Sequence, residues 1–220
     1  RCIVDMRRGG KNECCSHDPI YMPSHQDILP HLYTGGWSAI VDKSKYFHNF
    51  LTLPEEQDLI GVIHPITGQS LWYRGLPMGS TNSPSIACRI GEGVMDMFRQ
   101  ECPLFQGVPV ENSWRQALDG GFFRPSLGHG RIQVQSNGHP VAQIYAFCDD
   151  FYIHGFTKRD CTTALSAYMD LTVRLGFICQ KVKTSPPAQV QKYCGMLYDT
   201  RGVPTLRVPP NKVSRCLSSI

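Results

Sequence analysis

Two adjacent carboxylates, Asp149 and Asp150, lie in the stretch AFCDDFYIHG between two short apolar runs. The flanking aliphatic and aromatic residues are typical of strands, so the pattern predicts a hairpin with the acidic pair at its tip. Two like charges at one tip repel each other unless a cation lies between them, and hard divalent cations prefer carboxylate oxygens. A solvated Asp-Asp turn also explains the pair, so the pair alone does not decide between a metal site and a turn.

A third carboxylate, Asp42, ends the predicted strand WSAIVD. The predicted order is strand, helix, hairpin, helix, strand, which resembles a ferredoxin-like split βαβ arrangement. This is an α+β fold in which helices cover one face of an antiparallel sheet. In that topology Asp42 lies next to Asp149 and Asp150 at one end of the sheet. Carboxylates that converge from two strands are what a two-metal phosphoryl-transfer site requires.

The elements that must position these carboxylates are two helices and a closing pair of strands. The helices are predicted at 83–100 and at 159–176, the second capped by Asp160. Residues 101–142 lack periodicity and contain several glycines, so they are predicted to form an irregular insertion. The segments KYCGMLYD and VPTLRV are predicted to pair as strands.

The composition is that of an ordinary globular protein, since 41% of the 220 residues are hydrophobic and 18% are charged. No apolar run approaches the ~18 residues of a membrane span, so no membrane partner is expected. Free thiols in a reducing compartment are the default for cysteines spread in this way, so the predicted location is intracellular, in the cytoplasm or nucleus. A net charge of +4 permits a nucleic-acid partner without requiring one. The ten cysteines include no CxxC pair, which favours free thiols over a zinc site.

Five stretches, in order along the chain, resemble sequence blocks of reverse transcriptases, most closely those of long-terminal-repeat retrotransposons. They are RCIVDMRRGGKN, WSAIVDKSKYFHNF, YRGLPMGSTNSPSIACRI, FCDDFYIHG, and GFICQKVKTS followed by YCGMLYDTRG. The first resembles a fingers block, the second and fourth the two catalytic aspartate blocks, and the third the block L-P-x-G-x-x-N-x-P. The last pair resembles the lysine-bearing segment and the primer-gripping hairpin of the palm. The resemblance implies an RNA-directed DNA polymerase, a nucleotidyltransferase that extends a primer on an RNA or DNA template with deoxynucleoside triphosphates.

The resemblance assigns the metal chemistry to named residues. Asp42, Asp149 and Asp150 become the catalytic carboxylates, and with the main-chain carbonyl of Lys43 they would hold two Mg²⁺ ions, or Mn²⁺ in their place. Asp150 is expected to be the outer carboxylate, whose loss harms activity less than the loss of Asp149.

The resemblance also implies contacts to substrates. The expected nucleotide-binding residues are Arg1, Lys43, Phe47, Met78, Gly79 and Lys183, and the expected primer grip is Tyr193, Cys194, Gly195 and Met196. Phe47 matches the aromatic residue that excludes a ribose 2′-hydroxyl, and Lys183 matches the lysine that protonates the leaving pyrophosphate. Alternatives stay open: a core aromatic residue for Phe47, surface charges for Arg1 and Lys183, and a plain sheet edge for the hairpin. Two of the eight histidines, His48 and His154, are expected to be packing or surface residues.

A division into fingers and palm follows from the same resemblance. Partial fingers are predicted at 1–36 and 51–75, the palm at 37–50 and 76–200, and the palm end leading toward a thumb at 201–220. Because the first residue already lies in the fingers block, a fragment of a longer polymerase is expected. The sequence does not predict an oligomeric state.

Three functions compete on these observations. They are an RNA-directed DNA polymerase, a catalytically inactive polymerase relic that binds nucleic acid, and an RNA-dependent RNA polymerase. The presence of all three carboxylates favours the enzyme over the relic. RNA polymerases of this kind usually carry Gly before the aspartate pair and a ribose-selecting Asp in the first block, where this chain has Cys148 and Phe47. The sequence therefore predicts DNA synthesis.

Overall fold

The computed structural model describes most of the chain: Met6 and residues 10–14, 22–57, 61–102, 104, 132–136 and 139–218. Within these ranges the helices are α1 (His25–Ile28), α2 (Pro54–Gln57), α3 (Ser83–Glu101), α4 (Lys158–Arg174) and α5 (Pro210–Leu217), with 3₁₀ helices at Lys11–Cys14, Leu29–His31 and Tyr46–Asn49. The strands are β1 (Trp37–Asp42), β2 (Gly61–Ile63), β3 (Ser70–Trp72), β4 (Ile132–Ser136), β5 (His139–Phe147), β6 (Asp150–Gly155), β7 (Ser185–Ala188), β8 (Val190–Tyr193), β9 (Met196–Asp199) and β10 (Thr205–Arg207). No helix in the described part of the chain is long and apolar enough to cross a membrane.

Backbone contacts divide the chain into two compact units. The smaller unit comprises Arg1–Ile20 and Lys45–Ile90, and the larger unit comprises Tyr21–Ser44 and Gly91–Ile220. The smaller unit contains the β2–β3 hairpin and a backbone bridge between Leu51 and Gly75. The predicted boundaries of fingers and palm differ from this division and stay a prediction.

The larger unit is organised around a five-stranded antiparallel sheet with the order β4-β5-β6-β1-β7. β5 and β6 form the predicted hairpin, in which Phe147 pairs with Asp150. β1 lies on the other side of β6, and their register runs from Trp37 opposite Gly155 to Asp42 opposite Asp150. The acidic ends of β1 and β6 therefore meet at one end of the sheet.

One face of this sheet is covered by helices. Successive side chains of a strand point to opposite faces, so Ala39 and Val41 of β1 share a face with Phe151 and Ile153 of β6. These four residues are fully buried and form one apolar cluster with side chains of α4 and of the second half of α3, including Phe98. The predicted α+β fold, with helices on one face of an antiparallel sheet, is confirmed.

The opposite face of the sheet packs against aromatic residues from a second sheet. That sheet has the order β10-β9-β8. Its β9–β10 pair confirms that the two predicted segments pair, but KYCGMLYD is not a single strand, because a turn at Cys194 and Gly195 divides it between β8 and β9. Ile40 of β1 and Tyr152 of β6 form a buried cluster with Tyr193 and Tyr198. Asp42 lies two residues after Ile40, and Asp150 lies two residues before Tyr152, so both side chains continue this aromatic face at one end of the sheet.

His154 is a packing residue of the same face, as predicted. Its Nε2 accepts the backbone N–H of Tyr33 at 2.9 Å, and its Nδ1 lies 2.9 Å from Ser38 Oγ. Because Nε2 is an acceptor, the neutral ring carries its proton on Nδ1 and donates it to Ser38. Burial lowers the pKa of His154 to about 4, which keeps the ring neutral near pH 7.

Helix α4 begins one turn before its predicted cap. The Thr157 hydroxyl accepts the N–H of Asp160, and the Asp160 carboxylate accepts the N–H of Thr157, which is a capping box. The prediction of Asp160 as the cap was wrong, because the segment TKRD places the capping hydroxyl three residues earlier. The predicted end at Gly176 is confirmed by its positive φ of +79° directly after the helix.

The irregular insertion predicted for 101–142 is wrong at its C-terminal end. Residues Ile132–Ser136 form the edge strand β4, which pairs with the start of β5 from Ile132 opposite Ile144 to Ser136 opposite His139. The alternation IQVQ and the Asn-Gly dipeptide that follows are strand and hairpin signals. This period-two pattern is short, and the glycines around it are typical of loops, so the sequence signal for β4 is weak. Residues 105–131 lie outside the described residues.

Gly155, at the end of β6, lies where the strand packs closely against α4. A Cβ added to Gly155 would lie 2.4 Å from the backbone nitrogen of Cys161 in α4, closer than real contacts allow. We expect Gly155→Ala to lower the free energy of unfolding by roughly 1–3 kcal/mol, measured by urea denaturation. The control is Gly93→Ala in α3, where an added Cβ meets nothing within 4 Å. That change should raise stability by up to about 1 kcal/mol. Equal effects of the two substitutions would contradict the packing of β6 on α4.

Candidate active site

The strand register brings the acidic residues together. Asp42 at the end of β1 lies directly opposite Asp150 at the start of β6. The N–H of Lys43 donates to the carbonyl oxygen of Asp149 at 3.0 Å, which ties the turn between β5 and β6 to the end of β1. The prediction that Asp42 lies beside the pair at one end of the sheet is confirmed.

The turn that carries Asp149 has an unusual backbone. Cys148 and Asp149 are the two residues between β5 and β6, and Cys148 has a φ of +52°. A positive φ at the first central residue only is the pattern of a type II′ hairpin turn, where glycine is preferred. Cys148 therefore holds a conformation that an L-residue adopts at a cost of roughly 1–2 kcal/mol. Strain of this kind is common where a turn must aim functional side chains.

Asp42 is buried, and a lysine binds one of its oxygens. Lys183 Nζ lies 2.7 Å from Asp42 Oδ2, and the two side chains are 52% and 5% exposed, respectively. The other oxygen of Asp42, Oδ1, is buried. It has no hydrogen-bond donor among the described residues when Asp42 and Asp150 are both ionised. A buried carboxylate oxygen without a partner is unfavourable unless a cation or a donor approaches it.

The charge at Asp150 is disfavoured by the same crowding. Burial, the neighbouring charge of Asp149 and contact with the Asp42 carboxylate raise the pKa of Asp150 to about 7, and Lys183 partly offsets this rise. Two carboxylates can share a hydrogen bond only when one of them is protonated. The raised pKa of Asp150 thus indicates that a cation at this position would be stabilised by the surrounding carboxylates.

Lys183 is presented by a short turn that is itself bound to β1. The N–H of Gln180 donates to the carbonyl oxygen of Asp42 at 2.8 Å. The N–H groups of Lys183 and Thr184 both donate to the carbonyl oxygen of Gln180, at 3.1 and 2.8 Å. The sequence predicted a role for Lys183 but not its direct contact with Asp42, because the resemblance gives order along the chain and not register in space.

Lys43 contributes its main chain to the site and buries its side chain. Its Nζ lies 4.2 Å from the ring centroids of both Phe151 and Phe177, and burial lowers the pKa of the amine to about 7. A cation over aromatic faces is stabilised electrostatically even when it is removed from water. Nothing in the sequence around Lys43 distinguishes this buried lysine from an exposed one.

The predicted primer grip is a tight hairpin turn. Cys194 and Gly195 connect β8 to β9 with φ values of +45° and +81°, the pattern of a type I′ turn. The Tyr193 hydroxyl is buried and donates to the carbonyl oxygen of Asp150 at 3.3 Å, so this hairpin contacts the start of β6. Burial and the nearby Asp150 raise the pKa of Cys194 to about 12, so its thiol stays neutral. Met196 begins β9, and the gripping role of these residues stays a prediction.

The other predicted residues that the structure describes belong to the smaller unit, and Arg1 lies outside the described residues. In the 3₁₀ helix the buried residue is Tyr46, whose hydroxyl donates to the carbonyl oxygen of Ala87 at 3.1 Å. The rings of Phe47 and Tyr46 pack in a T-shaped arrangement with centroids 6.3 Å apart, and Phe47 stays partly exposed. The core aromatic at this turn is therefore Tyr46.

Met78 and Gly79 lie in a loop that is braced by an asparagine from the first block. Asn12 Nδ2 donates to the carbonyl oxygen of Gly79 at 3.1 Å, and the N–H of Thr81 donates to Asn12 Oδ1 at 3.0 Å. Gly79 is exposed and has a φ of +108°, which side chains rarely allow. Two blocks that the resemblance named separately are thus in contact within the smaller unit.

The acidic residues fit a divalent cation by their chemistry. Among the described residues, no three Asp, Glu, His or Cys side chains converge closely enough to form a metal site by themselves. Mg²⁺ does not need such a cage, because it is usually held by one or two carboxylates together with water and substrate phosphates. Asp42, with a buried oxygen that lacks a donor, is a suitable ligand of this kind, and the turn that carries Asp149 lies beside it.

Comparison with known proteins supports the fold. No protein-family model matches the sequence, and no curated protein matches it. Among solved structures, the foamy viral protease-reverse transcriptase in complex with double-stranded DNA matches with a TM-score of 0.68 and 14% identity, over 99% of this chain and 30% of that one. The chain has a reverse-transcriptase-like fold.

Two further structures give the same result. The foamy viral enzyme in complex with an RNA/DNA hybrid matches with a TM-score of 0.66 and 14% identity, over 98% of this chain and 22% of that one. Another complex with double-stranded DNA gives 0.63 and 13%, over 94% of this chain and 33% of that one. The chain thus spans about a third or less of the length of these three solved structures.

The strained turn before Asp149 gives a stability test. Cys148→Gly and Cys148→Ala both remove the sulfur atom, which lies 3.9 Å from Met22 Sδ, but only glycine tolerates a φ of +52° without strain. We expect the glycine variant to be more stable than the alanine variant by about 1 kcal/mol in urea denaturation. An alanine variant as stable as the glycine variant would contradict the assigned turn conformation.

Proposed function

We propose that this chain is the palm and part of the fingers of an RNA-directed DNA polymerase of the long-terminal-repeat retrotransposon type. The observation that carries the proposal is the β1–β6 register, which sets Asp42 opposite Asp150 and beside the turn bearing Asp149, in a reverse-transcriptase-like fold. The foamy viral proteins of similar fold are complexes with double-stranded DNA or an RNA/DNA hybrid. This supports a primer-template as the macromolecular partner, and the proposal adds deoxynucleoside triphosphates as substrates.

The proposed chemistry is nucleotidyl transfer. Bound Mg²⁺ would supply the positive charge that lowers the pKa of a primer 3′-hydroxyl and neutralises the triphosphate. Asp42, Asp149 and the carbonyl of Lys43 hold the cations in this proposal, and Asp150 adjusts the charge of the cluster from beside Asp42. Lys183 donates a proton from Nζ to the leaving pyrophosphate.

The other residues position the substrates. Gly79 has no side chain, and its positive φ disfavours any residue that has one. At this exposed position the backbone can therefore approach the nucleotide in this proposal. Met78 and Arg1 contact the same nucleotide in this proposal. The hairpin turn from Tyr193 to Met196 holds the primer end, and its bond from Tyr193 to the Asp150 carbonyl keeps that turn in register with the catalytic strand.

The test is extension of a labelled primer on an RNA template with Mg²⁺. We expect template-dependent extension by the native chain and a loss of at least about 1,000-fold in Asp149→Asn, since about 4 kcal/mol of transition-state stabilisation is removed. Asp150→Asn should lose less, about 10- to 100-fold. The matched control is Asp170→Asn, an exposed carboxylate of α4, which should keep native activity. A chain that binds primer-template but never extends it is a relic, and the proposal then fails.

Sugar selection by Phe47 gives a second test. Tyr46 supplies the packing of its 3₁₀ helix, which leaves the partly exposed Phe47 ring available as a steric wall. We expect Phe47→Val to keep deoxynucleotide incorporation while raising the relative use of ribonucleotides at least about tenfold, or roughly 1.4 kcal/mol in discrimination. Single-nucleotide extension with competing triphosphates measures this ratio.

The control for Phe47 is Phe50→Val in the same segment. Phe50 packs against Tyr46, with ring centroids 4.7 Å apart, so its truncation should affect both kinds of nucleotide alike. An active Phe47→Val variant with the native ratio would assign Phe47 to packing.

A further inference from the structure

Asp42 is a buried carboxylate whose negative charge is stabilised by a nearby cation. It is almost completely buried, it faces Asp150 across the sheet, and in the described part of the chain the ammonium group that contacts it belongs to Lys183. Removing one partner of such a pair leaves a buried charge without compensation, which is strongly unfavourable. Whatever displaces Lys183 must therefore bring positive charge of its own.

The Lys183 ammonium group, in contrast, can move away from Asp42 at a small cost in free energy. Its side chain is 52% exposed, so the ammonium regains water as soon as it moves away from Asp42. The backbone of its turn is fixed independently of the side chain, by the N–H of Gln180 on the Asp42 carbonyl and by the bonds of Lys183 and Thr184 to Gln180. The ammonium can therefore swing away while the turn stays in place.

We infer that the Lys183 ammonium is an exchangeable counter-ion, which holds Asp42 when no divalent cation is bound and releases Asp42 when one binds. The inference rests on the proposed function for the presence of that cation. It adds that Lys183 competes with the metal and so sets the metal affinity of the site. It also adds that metal binding frees the ammonium for the substrate phosphates, so that Lys183 reaches the nucleotide only in the loaded protein.

The experiment measures Mn²⁺ binding to the full chain, by the electron paramagnetic resonance signal of free Mn²⁺, in native protein and in Lys183→Met. We expect Lys183→Met to bind Mn²⁺ about five times more tightly, because it removes a competing ammonium group whose attraction to Asp42 is weakened by its own exposure to water. In a chelator the same variant should have a lower melting temperature than the native chain, and Mn²⁺ should raise that temperature more than it does for the native chain. Neither readout depends on catalysis.

Three variants control the result. Lys181→Met removes an equal charge two residues away, from an exposed lysine with no ion pair within the described residues, and should match the native chain in both readouts. Lys183→Arg keeps the charge and should restore weak Mn²⁺ binding. In an Asp42→Asn background, Lys183→Met should no longer change the melting temperature in chelator, because the partner charge is gone.

The outcomes separate this inference from the proposed function. If the native chain binds Mn²⁺ and Lys183→Met binds it with unchanged affinity, the exchange is wrong and the polymerase proposal stands. If Lys181→Met tightens Mn²⁺ binding as much as Lys183→Met, the effect is general electrostatics and the exchange is again wrong. If neither the native chain nor Lys183→Met binds Mn²⁺ more tightly than Asp42→Asn does, both the inference and the proposed metal site fail.

Discussion

The structure depends on one constraint, the antiparallel register of β1 and β6. This register holds the carboxylates of Asp42 and Asp150 opposite each other at the strand ends. Like charges that face each other across a ladder repel. A shift of one residue would relieve this repulsion, but it would move the apolar side chains of β1 from the helix-covered face to the aromatic face. The buried clusters on both faces therefore fix a register that the charges alone would not choose.

The neighbouring elements contact and stabilise the acidic ends of β1 and β6. The Gln180–Thr184 turn brings Lys183 to Asp42, and the pKa of Asp150 rises because burial and its acidic neighbours disfavour a further negative charge. The hairpin of β8 and β9 supports the same strand end through the Tyr193 hydroxyl on the Asp150 carbonyl. A site that concentrates negative charge while keeping one carboxylate oxygen buried is prepared for a hard cation, which is why we propose nucleotidyl transfer.

Much of this arrangement could be predicted from the sequence, and the failures have physical causes. The strand WSAIVD, both long helices and the hairpin around Asp149 follow from periodicity, and their order along the chain was enough to place Asp42 beside the acidic pair. The edge strand β4 was missed because five alternating residues among glycines give a weak signal. The cap of α4 was misplaced by three residues because Thr157 and Asp160 both fit a capping residue until their reciprocal hydrogen bonds are seen. The burial of Lys43 and the contact of Lys183 with Asp42 depend on the tertiary structure, to which sequence spacing gives no access.

The measurement that tests the central claim most directly is anomalous scattering from Mn²⁺ in crystals of the chain, collected near the manganese edge. This account predicts a peak at the end of β1 and β6, within coordination distance of a carboxylate oxygen of Asp42, and its loss in crystals of Asp42→Asn. Peaks found elsewhere, or a peak at the acidic end that survives the Asp42→Asn change, would contradict the claim that these carboxylates form the metal site.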